Sequence, residues 1–189
     1  MPSVCVYCAS SPQIPARYVQ LAAEVGEAIA DRSWSLVSGG GSESMMGAVA
    51  RATRLGGGRT VGVIPQALVD YEVADHDSDE LIVTATMRER KAIMDDRADA
   101  FLALPGGIGT LEELMEVWTS RHLKMHTKPV VVLDPWGDFA LLRAQVEHWQ
   151  SLGFVKEHAV AQLHWATSIH EACAAIENSW ATAAVSAES

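Results

Sequence analysis

A glycine-rich turn followed by two glutamates is the part of this sequence that most directly suggests chemistry. Residues 103–113 read ALPGGIGTLEE, an apolar strand that passes through glycines into a helix. Such a turn presents backbone N–H groups at the positive end of the helix and can bind a phosphate. Glu112 and Glu113 would repel that phosphate, so we expect them to act on another part of the ligand.

Two further turns follow apolar strands, CASSP at residues 8–12 and SGGGSESMMG at residues 38–47. Neither glycine turn matches the P-loop pattern G-x-x-x-x-G-K-[ST] or the dinucleotide pattern G-x-G-x-x-G, which argues against ATP hydrolysis and NAD chemistry. Together, the backbone amides of the two glycine turns can surround one mononucleotide. We therefore predict nucleotide contacts from Ser10, Gly40 and Gly41.

Structural roles also account for the two glutamates. Thr110 and Glu113 match the capping box [ST]-x-x-E, in which the two side chains satisfy backbone N–H groups at the start of a helix. A carboxylate such as Glu112 is also favourable beside a helix N-terminus. A catalytic role therefore needs support from elsewhere in the sequence.

That support comes from a cation inside an apolar helix face. In MRERKAIMDDRADAF, from residue 87, helical spacing places Arg90 or Lys91 on the same stripe as Met87 and Met94. A buried cation needs partners, although its charged end can instead reach the surface or pair with a neighbouring helix. Directed at the edge of the sheet, the cation would offset the repulsion between an anionic ligand and the two glutamates.

The elements that must position these residues alternate along the chain. Short β-branched runs predict strands at SVCVYCA, WSLVSG, TVGVIP, ELIVTA, AFLALP, PVVVLD and LHWAT, with helices at 15–31, 43–55, 86–97, 110–123, 137–151 and 168–179. Strands of this apolar density, alternating with helices, indicate a doubly wound, Rossmann-like α/β fold in which one parallel sheet has helices on both faces. Ligands of such sheets bind beyond the carboxyl ends of the strands, where the three turns lie.

Composition limits the classes of protein to consider. The chain has 189 residues, of which 49% are hydrophobic and 20% charged, and its formal net charge is -10. We predict a single nucleotide-binding domain over residues 1–180 and a disordered tail over 181–189. The acidic charge argues against a nucleic-acid partner, and the sequence shows no membrane span or signal peptide. We expect a cytoplasmic protein.

Cysteine and histidine do not indicate a redox or metal centre. Cys5 and Cys8 are three residues apart in a strand, so they should face opposite sides of the sheet and not form a disulfide or a metal site. His122 and His126 have i, i+4 helical spacing, but the sequence shows neither H-E-x-x-H nor a third ligand. We predict no metal and no organic cofactor.

These motifs together are similar to those of the Lonely Guy (LOG) family of cytokinin riboside 5'-monophosphate phosphoribohydrolases. The resemblance is carried by MRERKAIM, PGGIGTLEELMEVWT, VYCASS and SGGG....MGAVA, and extends from about residue 4 to 134. It implies hydrolysis of the N-glycosidic bond of an N6-modified adenosine 5'-monophosphate, and of AMP, to free base and ribose 5-phosphate. It also implies a homodimer or a larger assembly.

The resemblance implies roles for individual residues. Arg90 and Glu113 match the arginine and glutamate that the family needs for catalysis. Further substrate contacts match Glu72, Lys91, Gly107, Ile108, Gly109, Thr110, Leu111, Glu112 and Thr119. Arg88, Glu43 and Ser44 depart from the common family pattern, in which many members have histidine, an apolar residue and glycine. These departures bear on the base that is preferred.

The reaction that the resemblance implies explains why two glutamates lie close to a phosphate-binding turn. Cleavage of a ribosidic C–N bond develops positive charge on the sugar, which a carboxylate stabilises while it orients or deprotonates water. The main alternative is a non-enzymatic carrier of a nucleotide or pterin cofactor on the same fold, which would need the glycine turns but not Arg90 and Glu113. A phosphatase or phosphoribosyl-transfer enzyme is a second alternative.

Overall fold

A computed structural model describes residues 1–69 and 73–187. Over these residues, seven parallel strands form one sheet in the order β4-β3-β2-β1-β5-β6-β7. The strands are β1 Ser3–Tyr7, β2 Ser35–Ser38, β3 Thr60–Pro65, β4 Glu80–Thr84, β5 Ala100–Ala103, β6 Val130–Leu133 and β7 Leu163–Ala166. The predicted strands and their parallel arrangement are confirmed.

Helices connect the strands and cover the sheet. They are α1 Ala16–Asp31, α2 Ser44–Leu55, α3 Met87–Arg97, α4 Ile108–His122, α5 Ala140–Ser151, α6 Glu157–Val160 and α7 Ile169–Ala187. A 3-10 turn, Gln66–Leu68, follows β3, and within the described part of the chain no other helix separates β3 from β4. No helix that the structure describes is long and apolar enough to cross a bilayer.

The two faces of the sheet bury separate apolar clusters, because successive strand residues point to opposite sides. On one face, helices α1, α2 and α7 pack against Val4 and Val6 of β1 and against Cys8, which directly follows the strand. On the other face, helices α3 and α4 pack against Cys5 and Tyr7. The two thiols of C-x-x-C are therefore on opposite faces, as the strand period predicts. Both sides are covered by helices, which confirms the doubly wound fold.

The order of the strands fixes where a ligand can bind. From β1 the chain adds β2, β3 and β4 on one side and then returns to add β5, β6 and β7 on the other. The connections leave β1 and β5 in opposite directions, so a crevice opens between their carboxyl ends. The turn after β1 contains Ser10, and the turn after β5 contains Gly107.

The C-terminal segment differs from the expected disordered tail. Helix α7 continues to Ala187, so residues 181–187 are helical. The sequence ATAAVSAE lacks an apolar period, but alanine has the highest helix propensity and extends a helix that is already formed. Residues 188 and 189 lie outside the described residues.

Candidate active site

The turn after β5 enters its helix without a side-chain cap. Gly107 is the N-cap residue of α4 and makes no side-chain capping bond, and Ile108 is the first helical residue. The capping box expected at Thr110 and Glu113 is therefore wrong, because Thr110 is already inside the first turn. The buried Thr110 packs beneath the turn instead, where a side chain at Gly106 would collide with it.

The outer side of this turn has space for a ligand. A Cβ atom added at Gly107 or Gly109 would meet no atom within 4 Å, and neither residue has a positive φ. Packing and backbone conformation therefore do not require glycine at either position. Their lack of side chains leaves room above the first N–H groups of α4, where a helix N-terminus favours an anion.

Arg90 supplies the cation that the helix pattern predicted. It is 5% exposed, and its Nε donates to the Val63 carbonyl oxygen at 3.0 Å while Nη2 donates to the Gly39 carbonyl oxygen at 3.1 Å. A side chain at Gly39 would occupy the position of the guanidinium. The cation thus lies under the carboxyl ends of β2 and β3, next to the second glycine turn.

Helix α3 directs Arg90 to this position because the helix begins only three residues after β4 ends. Thr86 is the N-cap, and its side-chain oxygen accepts a hydrogen bond from the Glu89 N–H at 3.1 Å. Glu89 reaches back and accepts a bond from the Ala85 N–H at 2.8 Å. Thr86 and Glu89 cap the helix much as a capping box does, except that Glu89 binds the amide of the residue before the N-cap. The T-x-x-E spacing of these two residues was the available signal in the sequence.

Lys91, the other candidate for the cation, connects α3 to α4. Its Nζ contacts Glu112 Oε1 and lies 2.6 Å from Glu116 Oε2. The hydrogen bonds to Glu112 and Glu116 raise the pKa of Lys91. Glu112 and Glu113, which follow the first turn of α4, therefore have different surroundings: Glu112 contacts Lys91 of the neighbouring helix, and Glu113 lines a cavity. Glu116 was missed, and its i, i+4 spacing from Glu112 was the available signal.

Glu113 lines a cavity of about 370 Å³ between α3 and α4. The other lining residues include Tyr7, Arg88, Lys91, Asp95, Glu116 and Ser120. Burial raises the pKa of the Cys5 thiol, the charge of Glu113 raises it further, and the charge of Arg90 lowers it. Glu113 shares its cavity with Tyr7 at the end of β1, and Arg90 is bonded to Gly39 at the end of the adjacent strand β2, so the structure brings both catalytic candidates to this end of the sheet. Tyr7 is a lining residue that sequence reasoning missed.

The remaining predicted contacts differ in location. Ser10 is exposed in the turn after β1, whereas Gly40 and Gly41 are buried after β2. Thr119 is exposed on α4, about 9 Å along the helix axis from Glu113 at 1.5 Å per residue. Glu72 lies outside the described residues.

His122, the last residue of α4, and His126, which follows the helix, contact protein groups. His126 Nε2 lies 3.0 Å from the Val117 carbonyl oxygen, and burial lowers the pKa of its imidazole. The rings of His122 and His158 are tilted against each other, with their centroids 5.2 Å apart. Within residues 1–69 and 73–187, no three His, Cys, Asp or Glu side chains are grouped so that they could hold a metal ion.

Comparisons with known proteins identify the family. A family model described as "possible lysine decarboxylase" matches residues 46–176. A cytokinin riboside 5'-monophosphate phosphoribohydrolase from Mycobacterium tuberculosis is 58% identical over 161 residues, 85% of this chain and 86% of the relative. The enzyme of the same name from Mycobacterium marinum is 56% identical with the same coverage.

Solved structures share the fold at lower identity. The molybdenum cofactor carrier protein from Chlamydomonas reinhardtii matches with a TM-score of 0.72 and 24% identity, over 95% of this chain and 98% of that one. At this identity the likeness concerns the fold alone. The identity to the mycobacterial enzymes, sustained over most of both chains, means instead that this chain belongs to the Lonely Guy family of cytokinin riboside 5'-monophosphate phosphoribohydrolases.

Proposed function

We propose that the chain hydrolyses the N-glycosidic bond of adenosine 5'-monophosphates, with or without an N6 substituent, and releases the free base and ribose 5-phosphate. The observation that carries this proposal is the buried Arg90 guanidinium, which is bonded to the Gly39 carbonyl in the second glycine turn at the carboxyl edge of the sheet. The relatives at 56% and 58% identity, which are cytokinin riboside 5'-monophosphate phosphoribohydrolases, support the same reaction.

The turn after β5 holds the phosphate in this proposal. The first N–H groups of α4 donate to the phosphate oxygens, with Gly107, Ile108, Gly109 and Leu111 supplying backbone surface, and the buried Thr110 supports the turn from beneath. Ser10, Gly40 and Gly41 close the opposite side. The uncapped helix start and the free space above Gly107 and Gly109 support this arrangement.

The carboxylate of Glu113 faces the sugar. As the C–N bond breaks, positive charge develops on the ribose ring, and a carboxylate fixed beside it stabilises that charge more in the transition state than in the ground state. Glu113 also orients and deprotonates the attacking water. Its acceptor oxygens are useful in this reaction, whereas a site that only bound phosphate would not need them.

The cations set the geometry and balance the charge. Arg90 fixes the glycine turn through Gly39 and orients Glu113 and the nucleotide. Lys91 neutralises Glu112, so that an anionic substrate meets less repulsion at this end of α4. Glu112 then contributes a ribose hydrogen bond, and Glu72 and Thr119 complete the substrate contacts. In this reaction the chain uses no metal and no organic cofactor.

The proposal also covers the oligomeric state of the protein and its location in the cell. We propose a cytoplasmic homodimer that acts on a small nucleotide and binds neither nucleic acid nor membrane. The net charge of -10 supports the absence of a nucleic-acid partner. Exposed apolar side chains beside the site, among them Ile108 at 88% and Met125 at 74%, support contact with a second copy.

Product analysis tests the reaction. Incubation with AMP should yield adenine and ribose 5-phosphate by chromatography, at a rate that a chelator does not change. Release of inorganic phosphate, a requirement for pyrophosphate or inhibition by the chelator would favour a phosphatase or phosphoribosyl transferase instead. Tight nucleotide or pterin binding without any cleavage would favour the carrier alternative. A panel of AMP, isopentenyladenosine monophosphate, CMP and GMP then defines the preferred base.

A further inference from the structure

A second charged pair lies behind the glycine turn, and the proposed reaction does not use it. Arg54 of α2 makes two bonds to Asp75, from Nη1 to Oδ2 at 2.8 Å and from Nη2 to Oδ1 at 3.2 Å. The Ser78 hydroxyl donates to Asp75 Oδ2 at 3.1 Å. Asp75 is 3% exposed, so its carboxylate depends on these partners in place of water.

The backbone beside Asp75 is bonded to the glycine turn. The Asp75 N–H donates to the Gly40 carbonyl oxygen at 2.8 Å, and Ala74 forms an antiparallel bridge with Gly41. The Val73 carbonyl oxygen accepts from the Ser42 N–H at 2.8 Å and from the Ser42 hydroxyl at 2.6 Å. Residues 73–75 therefore lie beside the turn and are joined to it by one isolated antiparallel bridge and by the hydrogen bonds on either side of that bridge.

This support matters because the turn contains three consecutive glycines, residues 39–41. Glycine loses more backbone freedom on ordering than other residues, and Gly40 has a φ of +76°. Contacts from outside the turn must therefore hold it in one conformation. Arg90 binds the Gly39 carbonyl from beneath, and the segment anchored by Asp75 binds Gly40 to Ser42 from the side.

A buried ion pair contributes little net free energy to folding, so stability alone does not explain its use to anchor this segment. Desolvation of two charges cancels much of their attraction, and well-packed apolar residues often stabilise as much or more. What the two-bond pair adds is a fixed direction and distance between α2 and the segment. The pair is therefore better suited to placing the segment than to stabilising the fold.

We propose that Arg54 and Asp75 are positioning residues, which fix the glycine turn in the conformation that receives the nucleotide. The inference rests on the proposed function, in which Gly40 and Gly41 line the substrate. Neither charged side chain needs to touch the nucleotide. Their effect passes through residues 73–75 to the carbonyl of Gly40 and the amide of Ser42.

Asp75→Asn is the principal test, because asparagine preserves shape but removes the charge that pairs with Arg54. We expect kcat/KM for AMP to fall at least about tenfold, since small displacements of binding groups reduce turnover strongly. Amide hydrogen exchange at Ser42 should accelerate at least about tenfold, because its acceptor, the Val73 carbonyl, is no longer anchored. Both measurements are made at a temperature at which circular dichroism shows the variant folded.

Two further variants keep the result interpretable. Arg54→Lys retains the charge but not the two-bond geometry, and should give intermediate losses if Asp75→Asn is too unstable to study. Glu80→Gln is the matched control, because it breaks the more exposed ion pairs that Glu80 makes with Arg59 and Arg97. It should leave both kcat/KM and Ser42 exchange within about twofold of the wild type.

The outcomes separate this inference from the proposed function. Absence of adenine release from the wild type would refute the proposed function, while Ser42 exchange would still report whether the pair holds the turn. With an active wild type, unchanged kcat/KM in folded Asp75→Asn would overturn the inference. Lost activity with unchanged exchange would also overturn it. If Asp75→Asn changes kcat/KM and Ser42 exchange no more than Glu80→Gln does, the Arg54–Asp75 pair has only an ordinary structural role and the inference is overturned.

Discussion

Arg90→Lys separates the geometry of the buried cation from its charge. Lysine keeps the positive charge, but its single ammonium group cannot bridge two carbonyls as the planar guanidinium does. In the wild type, Nε binds Val63 and Nη2 binds Gly39, at 3.0 and 3.1 Å. A hydrogen bond from a charged donor contributes about 1.5–3 kcal/mol, so loss of one bond should destabilise the fold by about that amount.

Thermal unfolding and single-substrate kinetics measure the two consequences. For a chain of this size, 1 kcal/mol corresponds to about 2–4 °C, so Tm should fall by about 3–12 °C. Adenine release from AMP at 20 °C, with the variant still folded, should fall by about 10²-fold because the turn and Glu113 lose their common support. Arg97→Lys, an exposed change on the same helix, is the control. Wild-type Tm and turnover in Arg90→Lys would refute the assigned role.

Four other outcomes follow from the same structure. Glu113→Gln should lower AMP turnover by about 10²–10³ while Tm stays near the wild-type value; full activity would remove Glu113 from the mechanism. Adenosine should be cleaved with lower kcat as well as higher KM than AMP, because binding energy from the phosphate aligns the reacting centre; equal rates would contradict this. Thr86→Ala should cost about 1 kcal/mol by loss of the α3 cap, and an unchanged Tm would show that the cap contributes nothing. Burial lowers the pKa of His126 and His164, so as the pH falls through about 6.5 the unfolded chain takes up protons before the folded protein does. Tm should therefore drop between pH 7.5 and 5, and it should drop less in the double variant His126→Gln, His164→Gln.

The architecture was accessible from the sequence because its signals are local. Each strand is a short run of β-branched residues, and each major helix follows at regular spacing, so a period count locates both. Parallel order follows from the alternation, since neighbouring parallel strands require a crossover between them. In a parallel sheet all strands end at the same edge, so the three turns that follow strands must lie together at the carboxyl edge.

Other features depend on geometry that spacing cannot resolve. Arg90 and Lys91 occupy i+3 and i+4 positions from Met87, and both share its face of a helix. Only the packed structure shows that one guanidinium reaches the sheet and that the neighbouring ammonium turns to α4. The Arg54–Asp75 pair joins residues that are distant in sequence, on a helix and a loop without a motif.

Helix ends account for the remaining errors. The pattern at Thr110 predicted a cap, but the N-cap is Gly107, three residues earlier, which has no side chain. The tail was predicted to be disordered because it lacks an apolar stripe, while its alanines favour the continuation of α7.

The backbone at Ser44 is another feature that the sequence does not reveal. Ser44 has a φ of 52°, a conformation that is costly for a residue other than glycine, and its hydroxyl donates to the Ser11 carbonyl at 2.6 Å.

The position of β4 at the margin of the sheet gives Arg90 a second consequence. An outer strand has unpaired backbone groups on one side and can join another chain when it is loosened. Arg90 belongs to the helix that immediately follows β4, and its guanidinium is bonded to the neighbouring strand β3 and to the turn after β2. A substitution at Arg90 would thus free an open border of the sheet and invite aggregation. We therefore expect substitutions at Arg90 to lower the yield of soluble protein together with turnover.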